Sequence, residues 1–462
     1  MPCCGFMNAF DTIAAVSTPR GKGGIAVVRV SGEGTRALIS RVFTPLGRAP
    51  QAHPRRACFG RIHTPAGAFV DEGIVTFFAA PASFTGEDVA EIACHGGILV
   101  TEAVLAAVLS AGARMAEAGE FTARAVMCGK MGLSTAESLG ALLDAGTKGQ
   151  LALARGGLTG RLADAARDIY GTLTAILADV YAKIDFPDED LASMNVGELR
   201  TALAAVRARI QALADTWHTG RAVAEGIETV ICGPVNAGKS TLYNALVGYD
   251  AAIVTDIAGT TRDTLTETVS LGNVTLRLSD TAGLRDTADV VERIGVERAD
   301  AAIERAELVL AVLDAAAPRD AAVTAFLARL SRVQGTVILV LNKQDKASCT
   351  ASLYDDLGYR TVAVSAKTGE ISALSDTLAE IYRTDVINLA TDPVVASARQ
   401  YAALARAAET LDDAISALDA GVPLDAACVA AELAASAVGE VDGRAVGEDI
   451  VADIFAHFCV GK

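Results

Sequence analysis

Several features of other protein classes are missing from this sequence. No apolar run approaches the roughly 18 residues that a membrane-spanning helix needs, and the N-terminus lacks the basic-then-apolar pattern of a secretory signal. The nine cysteines are odd in number, scattered, and without the spacing of paired metal ligands. These absences argue against a membrane transporter and a disulfide-stabilised secreted domain, and they favour the reduced cytoplasm as the setting.

Basic charge is also scarce. The chain has 40 Lys and Arg against 56 Asp and Glu, which gives a net charge of −16. Residues 1–130 differ, because their 12 basic and 10 acidic residues sum to +2 and leave −18 for the remainder. Since contacts with nucleic acid phosphates normally need Lys and Arg, any RNA partner is expected to meet a local patch or to bind through another protein.

Length and composition predict several domains. The 462 residues suggest about three domains, and 51% hydrophobic content is ample for their cores. Residues 1–130 are rich in strand-like runs between Gly- and Pro-containing turns, and we expect an α+β domain there. The clearest of these runs are 25–30, 73–78 and 89–93.

Apolar residues at helical spacing lie on both sides of an α/β segment. The stripes are Leu162, Ile169, Leu173, Ile176, Val180 and Ile184; Leu199, Leu203, Val206, Ile210 and Leu213; and Leu404, Leu411, Ile415 and Leu418. Pro187 is expected to end the first of these helices. Because each stripe needs a partner to be buried, we predict one discontinuous helical domain at 131–224 and 383–462, interrupted by an α/β domain at 225–382.

A glycine-rich loop predicts the chemistry of the interrupting domain. Residues 233–240 read GPVNAGKS, of the form G-x-x-x-x-G-K-S, between an apolar run at 227–232 and a helical run at 241–247. That strand–loop–helix context predicts a phosphate-binding loop rather than an ordinary glycine turn. Lys239 would reach the β- and γ-phosphates of a nucleoside triphosphate, and Ser240 would ligate Mg²⁺. The predicted contacts are Asn236, Ala237, Gly238, Lys239, Ser240 and Thr241.

Two later motifs predict which base is bound. They are N-K-x-D, with Asn342, Lys343 and Asp345, and S-A-K, with Ser365, Ala366 and Lys367. The carboxylate of Asp345 can accept two hydrogen bonds from the ring N–H and the amine of guanine, a donor pair that adenine lacks. Either motif alone is compatible with a polar loop, but in this order after the phosphate loop they predict GTP.

Two switch motifs lie between these. They are a TDIAGTT loop, with Thr255, Asp256, Ile257, Ala258, Gly259, Thr260 and Thr261, and a D-T-A-G motif, with Asp280, Thr281, Ala282 and Gly283. Thr261 is the expected second Mg²⁺ ligand, and Asp280 is expected to hold the metal shell through water. Leu284 follows, where a Ras-like enzyme has the glutamine that orients the attacking water. Hydrolysis therefore needs another group or is very slow.

Together these motifs resemble the tRNA-modification GTPase family MnmE, also called TrmE, over essentially the whole chain after Met7. The resemblance implies a Ras-like P-loop GTPase domain inserted into the helical domain, and K⁺ activation when two such domains dimerise. Carbonyl oxygens suit a monovalent cation, which would replace an arginine finger worth about 10³–10⁵ in rate. The implied K⁺ ligands are Asn236, Thr255, Ile257 and Thr260. Glu292 matches the water-positioning glutamate, although a solvated helix face is its simpler interpretation without the resemblance, and Arg285 is expected to support the same segment.

The resemblance also implies that residues 1–130 form a folate-binding and dimerisation domain for a 5-formyl-tetrahydrofolate-type ligand. The matching residues are Arg29, Glu91, Lys130 and, in the terminal FCVGK sequence, Lys462. A pterin presents a ring N–H and amine edge like that of guanine, so Glu91 could bind it as Asp345 binds guanine. Judged from the residues alone, a surface charge or an internal ion pair is the simpler interpretation. The role of Cys459 stays open.

The resemblance implies a homodimer that works with an FAD-dependent MnmG-type partner. Together they would add a (carboxymethyl)aminomethyl group to C5 of the wobble uridine of certain tRNAs, while GTP hydrolysis drives a conformational cycle. One alternative is a ribosome-assembly GTPase, which predicts a basic RNA-binding appendage such as a KH module, and we find no such module in the sequence. The other is a regulatory switch, which predicts no folate affinity.

Overall fold

The computed structural model describes residues 11–186, 194–249, 266–279, 305–346, 351–443, 454–455, 458 and 461. They divide into two units. The N-terminal unit consists of Met1–Gly140 with Gly443–Lys462, and the central unit consists of Ala141–Asp442.

The N-terminal unit contains a seven-stranded sheet. Its strands are β1 Ile13–Val16, β2 Ile25–Ser31, β3 Phe43–Pro45, β4 Ala57–His63, β5 Phe69–Phe78, β6 Val89–His95 and β7 Arg114–Met115, in the order β3-β4-β5-β6-β2-β1-β7. All neighbours are antiparallel except β1 and β7, which are parallel. The helices are α1 Thr35–Val42, α2 Ile98–Ser110 and α3 Glu120–Met127, and α4 follows at Leu133–Asp144. The strand-like runs predicted at 25–30, 73–78 and 89–93 are confirmed as parts of β2, β5 and β6.

The alternation along β2 separates the two faces of this sheet. Ala26, Val28 and Val30 are buried in a core that also contains residues of α1 and α2. Because successive side chains of a strand point to opposite faces, Arg29 faces away from that core.

The central unit contains a second sheet, and helices precede and follow the strands of this sheet along the chain. Its elements are α5 Lys148–Leu158, α6 Arg161–Asp185, α7 Val196–Ala214, α8 Trp217–Ala224, β8 Ile227–Cys232, α9 Lys239–Tyr249, β9 Thr266–Leu271, β10 Val274–Ser279, β11 Leu308–Asp314, α10 Ala321–Leu330, β12 Thr336–Asn342, β13 Arg360–Ala363, α11 Ser372–Ile381, α12 Ala398–Asp419 and α13 Leu424–Val441. None of the described helices combines the length and apolar character that crossing a bilayer requires.

Helices α6, α7, α12 and α13 share one hydrophobic core, although the second sheet separates them in sequence. The predicted stripes are buried there with few exceptions. Ile184 is 37% exposed, contrary to prediction, because it lies in the last turn of α6. That helix ends at Asp185, as predicted from Pro187, and α7 begins with a capping box between Asn195 and Glu198.

The second sheet has six strands in the order β13-β12-β11-β8-β10-β9. Its pairs are parallel except β9 with β10. Two hydrophobic cores include alternate residues of its central strands, so both faces are covered. The predicted fold class is confirmed: an N-terminal α+β domain, a discontinuous helical domain, and an inserted P-loop α/β domain. The exact domain boundaries stay predictions.

Candidate functional site

The carboxyl ends of parallel strands bring the predicted nucleotide loops to one edge of the second sheet. Strands β8, β11, β12 and β13 run parallel, so the loops that follow them emerge on the same side. The phosphate loop follows Cys232, Asn342 ends β12, and Ser365 comes just after β13. Segments far apart in sequence therefore meet.

The phosphate loop packs closely against its neighbours. A Cβ added at Gly238 would lie 2.2 Å from Nδ2 of Asn342, and one at Gly233 would lie 2.2 Å from the carbonyl oxygen of Val312. Gly238 also has φ of +97°, in the left-handed region that favours glycine. Contact with β11 and β12 therefore requires the two glycines of the motif.

Lys239 lies within the phosphate loop and begins α9. Its Nζ donates to the carbonyl oxygens of Gly233 at 3.0 Å and Pro234 at 2.9 Å. Burial lowers the pKa of Lys239. A bound anion would act in the opposite direction, because a nearby negative charge favours the charged form of the lysine. Ser240 and Thr241 are exposed in the first turn, where helix N–H groups attract an anion. A serine hydroxyl is an oxygen ligand of the kind that Mg²⁺ takes, so these residues fit a triphosphate with its metal.

The base-reading loops are hydrogen-bonded to each other and to the phosphate loop. Asn342 is 2% exposed; its Nδ2 donates to the carbonyl oxygen of Ala237 at 3.2 Å, and its Oδ1 accepts from the N–H of Ala366 at 3.0 Å. The hydroxyl of Ser365 donates to Oδ1 of Asp345 at 3.0 Å. The Asp345 carboxylate is thereby oriented while the residue stays exposed, which suits an acceptor for guanine.

Lys343 links the same loops through its ammonium group. Its Nζ donates to the carbonyl oxygen of Asn236 at 2.6 Å and to Oδ2 of Asp314 at 2.7 Å. Burial alone would raise the pKa of Asp314, but the hydrogen bond from Lys343 holds it below its usual range. Asp314, the last residue of β11, was not predicted; the signal for it is an acidic residue directly after the apolar run 308–313. Lys367 is exposed beyond this network.

In the N-terminal unit, Arg29 and Glu91 form an ion pair across β2 and β6. They are register partners, and Nη2 and Nε of Arg29 lie 2.8 and 3.1 Å from Oε1 of Glu91. The guanidinium carbon lies 5.4 Å from the ring centroid of Phe84 and 5.8 Å from that of Phe121. The two charged side chains are 20% and 34% exposed, so solvent reaches the pair.

The loop at 81–86 lies beside three of the predicted folate residues. Nζ of Lys130 donates to the carbonyl oxygen of Pro81 at 2.9 Å, while Phe84 of the same loop lies against Arg29 and, through it, Glu91. A partly exposed carboxylate paired with Arg29, with Lys130 donating to the same loop, suits an anionic ligand with a ring N–H edge, so these residues fit a folate.

Comparison with known proteins identifies the family. Residues 12–130 match the family model of the GTP-binding protein TrmE N-terminus, and residues 133–459 match that of the MnmE helical domain. A curated protein of Azoarcus sp. strain BH72, named tRNA modification GTPase MnmE, is 38% identical over 458 residues, which cover 98% of each chain. This chain belongs to the MnmE family.

Other relatives of the same name agree. The MnmE protein of Roseiflexus sp. strain RS-1 is 40% identical over 467 residues, covering 98% of this chain and 99% of that one. Among solved structures, the G domain of the T. maritima FeoB iron transporter is 26% identical, covers 34% of this chain and 97% of its own, and gives a TM-score of 0.26.

A partly buried cluster of charges lies near the Arg29–Glu91 pair and was not predicted. It comprises Asp11, Glu87, Arg114, Glu120 and Arg124. Arg124 is 4% exposed and its Nη2 lies 2.6 Å from Asp11 and 2.9 Å from Glu120, which is fully buried. The sequence signal is an acidic and a basic residue four positions apart in α3.

The charge cluster favours ionised carboxylates. Burial alone would raise the pKa of Glu120, but hydrogen bonds from Arg114, the Glu117 N–H and Arg124 outweigh it and hold the pKa below its usual range. The cluster fixes the start of α3, and the next residue is Phe121, whose ring lies below the guanidinium of Arg29.

The structure does not describe the remaining predicted site residues. They lie outside the described residues: Thr255, Asp256, Ile257, Ala258, Gly259, Thr260, Thr261, Asp280, Thr281, Ala282, Gly283, Arg285, Glu292 and Lys462.

Proposed function

We propose that this protein hydrolyses GTP in the modification of the wobble uridine of certain tRNAs. The observation that carries the proposal is the likeness to proteins named tRNA modification GTPase MnmE along 98% of the chain. The hydrogen-bonded phosphate and base-reading loops support it, because they place a carboxylate acceptor beside a phosphate-binding helix terminus.

Within the nucleotide site, the roles follow from the chemistry of each group. Lys239 would neutralise the β- and γ-phosphates, Ser240 with Thr261 would hold Mg²⁺, and Asp345 would accept from guanine. Asn342, Ser365 and Ala366 would keep Asp345 in place. Mg²⁺, when bound, supplies charge neutralisation between the β- and γ-phosphates.

Hydrolysis in this proposal uses a potassium ion in place of a catalytic arginine. Asn236 would contribute its side-chain oxygen, and Thr255, Ile257 and Thr260 would complete the coordination. Asn236 has φ of +61°, and Lys343 binds its backbone carbonyl, so the main chain at this position is held while the side chain remains exposed. Since Leu284 cannot orient water, Glu292 would do so, supported by Arg285.

The N-terminal unit in this proposal binds a 5-formyl-tetrahydrofolate-type folate that supplies the one-carbon unit. Glu91 would accept from the pterin edge, and Arg29, Lys130 and Lys462 would bind the carboxylates or the one-carbon oxygen. The proximity of Arg29, Glu91 and Lys130 to one loop supports a shared ligand.

The proposed assembly is a cytoplasmic homodimer with an FAD-dependent MnmG-type partner and tRNA. In it, the folate would supply the one-carbon unit, and GTP hydrolysis would drive a conformational cycle rather than the carbon chemistry.

Nucleoside analysis by mass spectrometry tests the proposal. Cells that lack this gene should lose the C5 substituent at the wobble uridine, and the wild-type gene should restore it. A gene encoding Asp345→Asn should restore none of it. Unchanged nucleosides in the deletion strain would refute the proposal.

A further inference from the structure

One stretch of the N-terminal unit is basic in an otherwise acidic chain. Residues 34–70 contain six arginines and two histidines and have no Asp, Glu or Lys. The chain as a whole has a net charge of −16, so this stretch carries a local charge of opposite sign.

Four of these arginines form what we call the arginine patch: Arg36, Arg48, Arg55 and Arg56. Nη1 of Arg36 donates to the carbonyl oxygen of Gln51 at 3.2 Å, and Nε2 of Gln51 donates back to the carbonyl oxygen of Arg36 at 3.2 Å. Gln51 belongs to the short 3-10 helix between Arg48 and Arg55, so these contacts hold that segment against α1.

Phe77 anchors two members of the patch. The guanidinium carbon of Arg36 lies 4.8 Å from its ring centroid, and the N–H of Arg55 donates to its carbonyl oxygen at 2.7 Å. Arg55 has φ of +63°, an unusual conformation that this bond fixes, and its Nη2 donates to the carbonyl oxygen of Ala82 at 3.2 Å. Its side chain is therefore ordered before any ligand binds, which lowers the entropy cost of binding.

The donors of the patch are available to a ligand. All four arginines are exposed. Arg48 and Arg56 have no side-chain hydrogen bond or ion pair within the described part of the chain, and Arg36 has one carboxylate nearby, Asp88 at 3.6 Å. Each guanidinium carries five donors in a planar fork, so most of them remain unused.

We propose that the arginine patch binds the sugar–phosphate backbone of the tRNA, an inference that rests on the proposed function. Guanidinium forks match phosphate oxygens in pairs, and a patch composed of arginine alone suits that geometry. The acidic remainder of the chain repels RNA, so the patch would also orient the tRNA as it approaches.

The test compares two double variants of the full-length protein in binding to a fluorescently labelled substrate tRNA as ionic strength rises. Arg48→Gln with Arg56→Gln removes two patch cations that have no described partner. Arg161→Gln with Arg332→Gln removes the same charge from two exposed arginines of the central unit.

The patch variant should bind roughly 3- to 10-fold more weakly at physiological salt. The plot of log K against log salt has a negative slope, and the magnitude of that slope should decrease by about two, one for each lost phosphate contact. The control variant should keep the wild-type slope, and both variants should keep the wild-type GTPase rate. Equal slopes for the patch variant and the wild type would overturn the inference.

The remaining outcomes are also decisive. If wild-type protein binds no tRNA while deletion cells lose the wobble modification, the patch inference fails and the proposed function stands. If deletion cells keep the modification, the proposed function fails independently. Patch-dependent binding of polyglutamate or of phosphatidylglycerol vesicles that equals the binding of tRNA would assign the patch to an acidic protein or a lipid surface instead.

Discussion

The side-chain amide of Asn342 donates a hydrogen bond to the carbonyl oxygen of Ala237, 105 residues earlier in the chain. This contact joins the base-reading loop to the phosphate loop. Since the Oδ1 of the same amide accepts from Ala366, one buried side chain fixes the distance between the two ends of the expected nucleotide.

Replacing Asn342 by Ala should therefore damage stability and GTP binding together. The change leaves the Ala237 carbonyl and the Ala366 N–H without this partner, at a cost of about 1–3 kcal/mol for each group that stays buried and unpaired. Thermal unfolding and GTP titration measure both effects. Lys346→Ala, at an exposed site in the same loop, is the control and should change neither quantity.

Asp345→Asn should change the base preference from guanine to xanthine. An amide cannot accept both donors of guanine, but it can donate to the carbonyl that xanthine has in place of the amine. With two charge-assisted hydrogen bonds lost, at about 1.5–3 kcal/mol each, GTP affinity should fall by about 10²–10⁴-fold while XTP affinity rises. Competition between the two nucleotides measures this, and retained preference for GTP would remove Asp345 from the base-reading role.

Asn236→Gly tests the potassium site without straining the backbone. Glycine adopts the φ of +61° easily, so only the amide side chain is lost. Wild-type turnover should be faster in K⁺ than in Na⁺, and the variant should lose that difference while GTP affinity changes little. Val235→Ala, at a neighbouring side chain that is 86% exposed, should keep the cation preference. Equal wild-type rates in the two salts would contradict the assignment.

Glu91→Gln should weaken folate binding without slowing GTP hydrolysis. The substitution removes the carboxylate that pairs with Arg29 and that we expect to accept from the pterin. Loss of a hydrogen bond to a charged group costs about 1.5–3 kcal/mol, which corresponds to about 10–150-fold in affinity for 5-formyl-tetrahydrofolate by calorimetry. Glu72→Gln breaks a similar cross-strand pair with Arg61 and should leave folate affinity unchanged.

The partly buried charge cluster should make the N-terminal unit sensitive to acid. The pKa values of Asp11 and Glu120 are lowered in the folded chain, so their contribution to stability is present above the unfolded pKa and is lost as pH falls through the folded pKa. Protection of the α3 amides against hydrogen exchange, taken relative to the intrinsic rate at each pH, should therefore be high at pH 5–7 and fall below about pH 4.

Glu120→Gln should destabilise the N-terminal unit by about 1.5–3 kcal/mol near neutral pH, because a neutral amide replaces the fully buried carboxylate that accepts from Arg114 and Arg124. It should also flatten the acid limb of the exchange profile. Glu117→Gln, in the segment between β7 and α3, keeps the buried Glu120 carboxylate and should retain the wild-type profile. An unchanged profile in Glu120→Gln would show that the cluster does not govern the acid response.

The phosphate and base-reading loops could be predicted from sequence because short contiguous motifs encode them. Each motif needs few residues at fixed spacing and comes at or just after the end of a strand. The pairing of Lys343 with Asp314 could not be predicted, because it depends on β11 and β12 being neighbours.

The Arg29–Glu91 pair shows the same limit in the N-terminal unit. The two residues are 62 positions apart, and only the register of β2 against β6 places them opposite each other. The charge cluster depends likewise on β1, β7 and α3 meeting. Such contacts cannot be predicted from sequence periodicity, because periodicity indicates where strands and helices form but not which of them pair with each other.

The shared core of α6, α7, α12 and α13 also determines which domain can finish folding first during translation. About 180 residues separate the end of α7 from the start of α12, and roughly 10–40 s of synthesis pass before they are translated. Throughout that interval the apolar stripes of α6 and α7 lack half of their final partners, while the sheet of the inserted domain can already form. Nascent chains therefore spend their longest vulnerable period with a folded nucleotide-binding domain attached to an unfinished helical one, which is when a chaperone would be needed most.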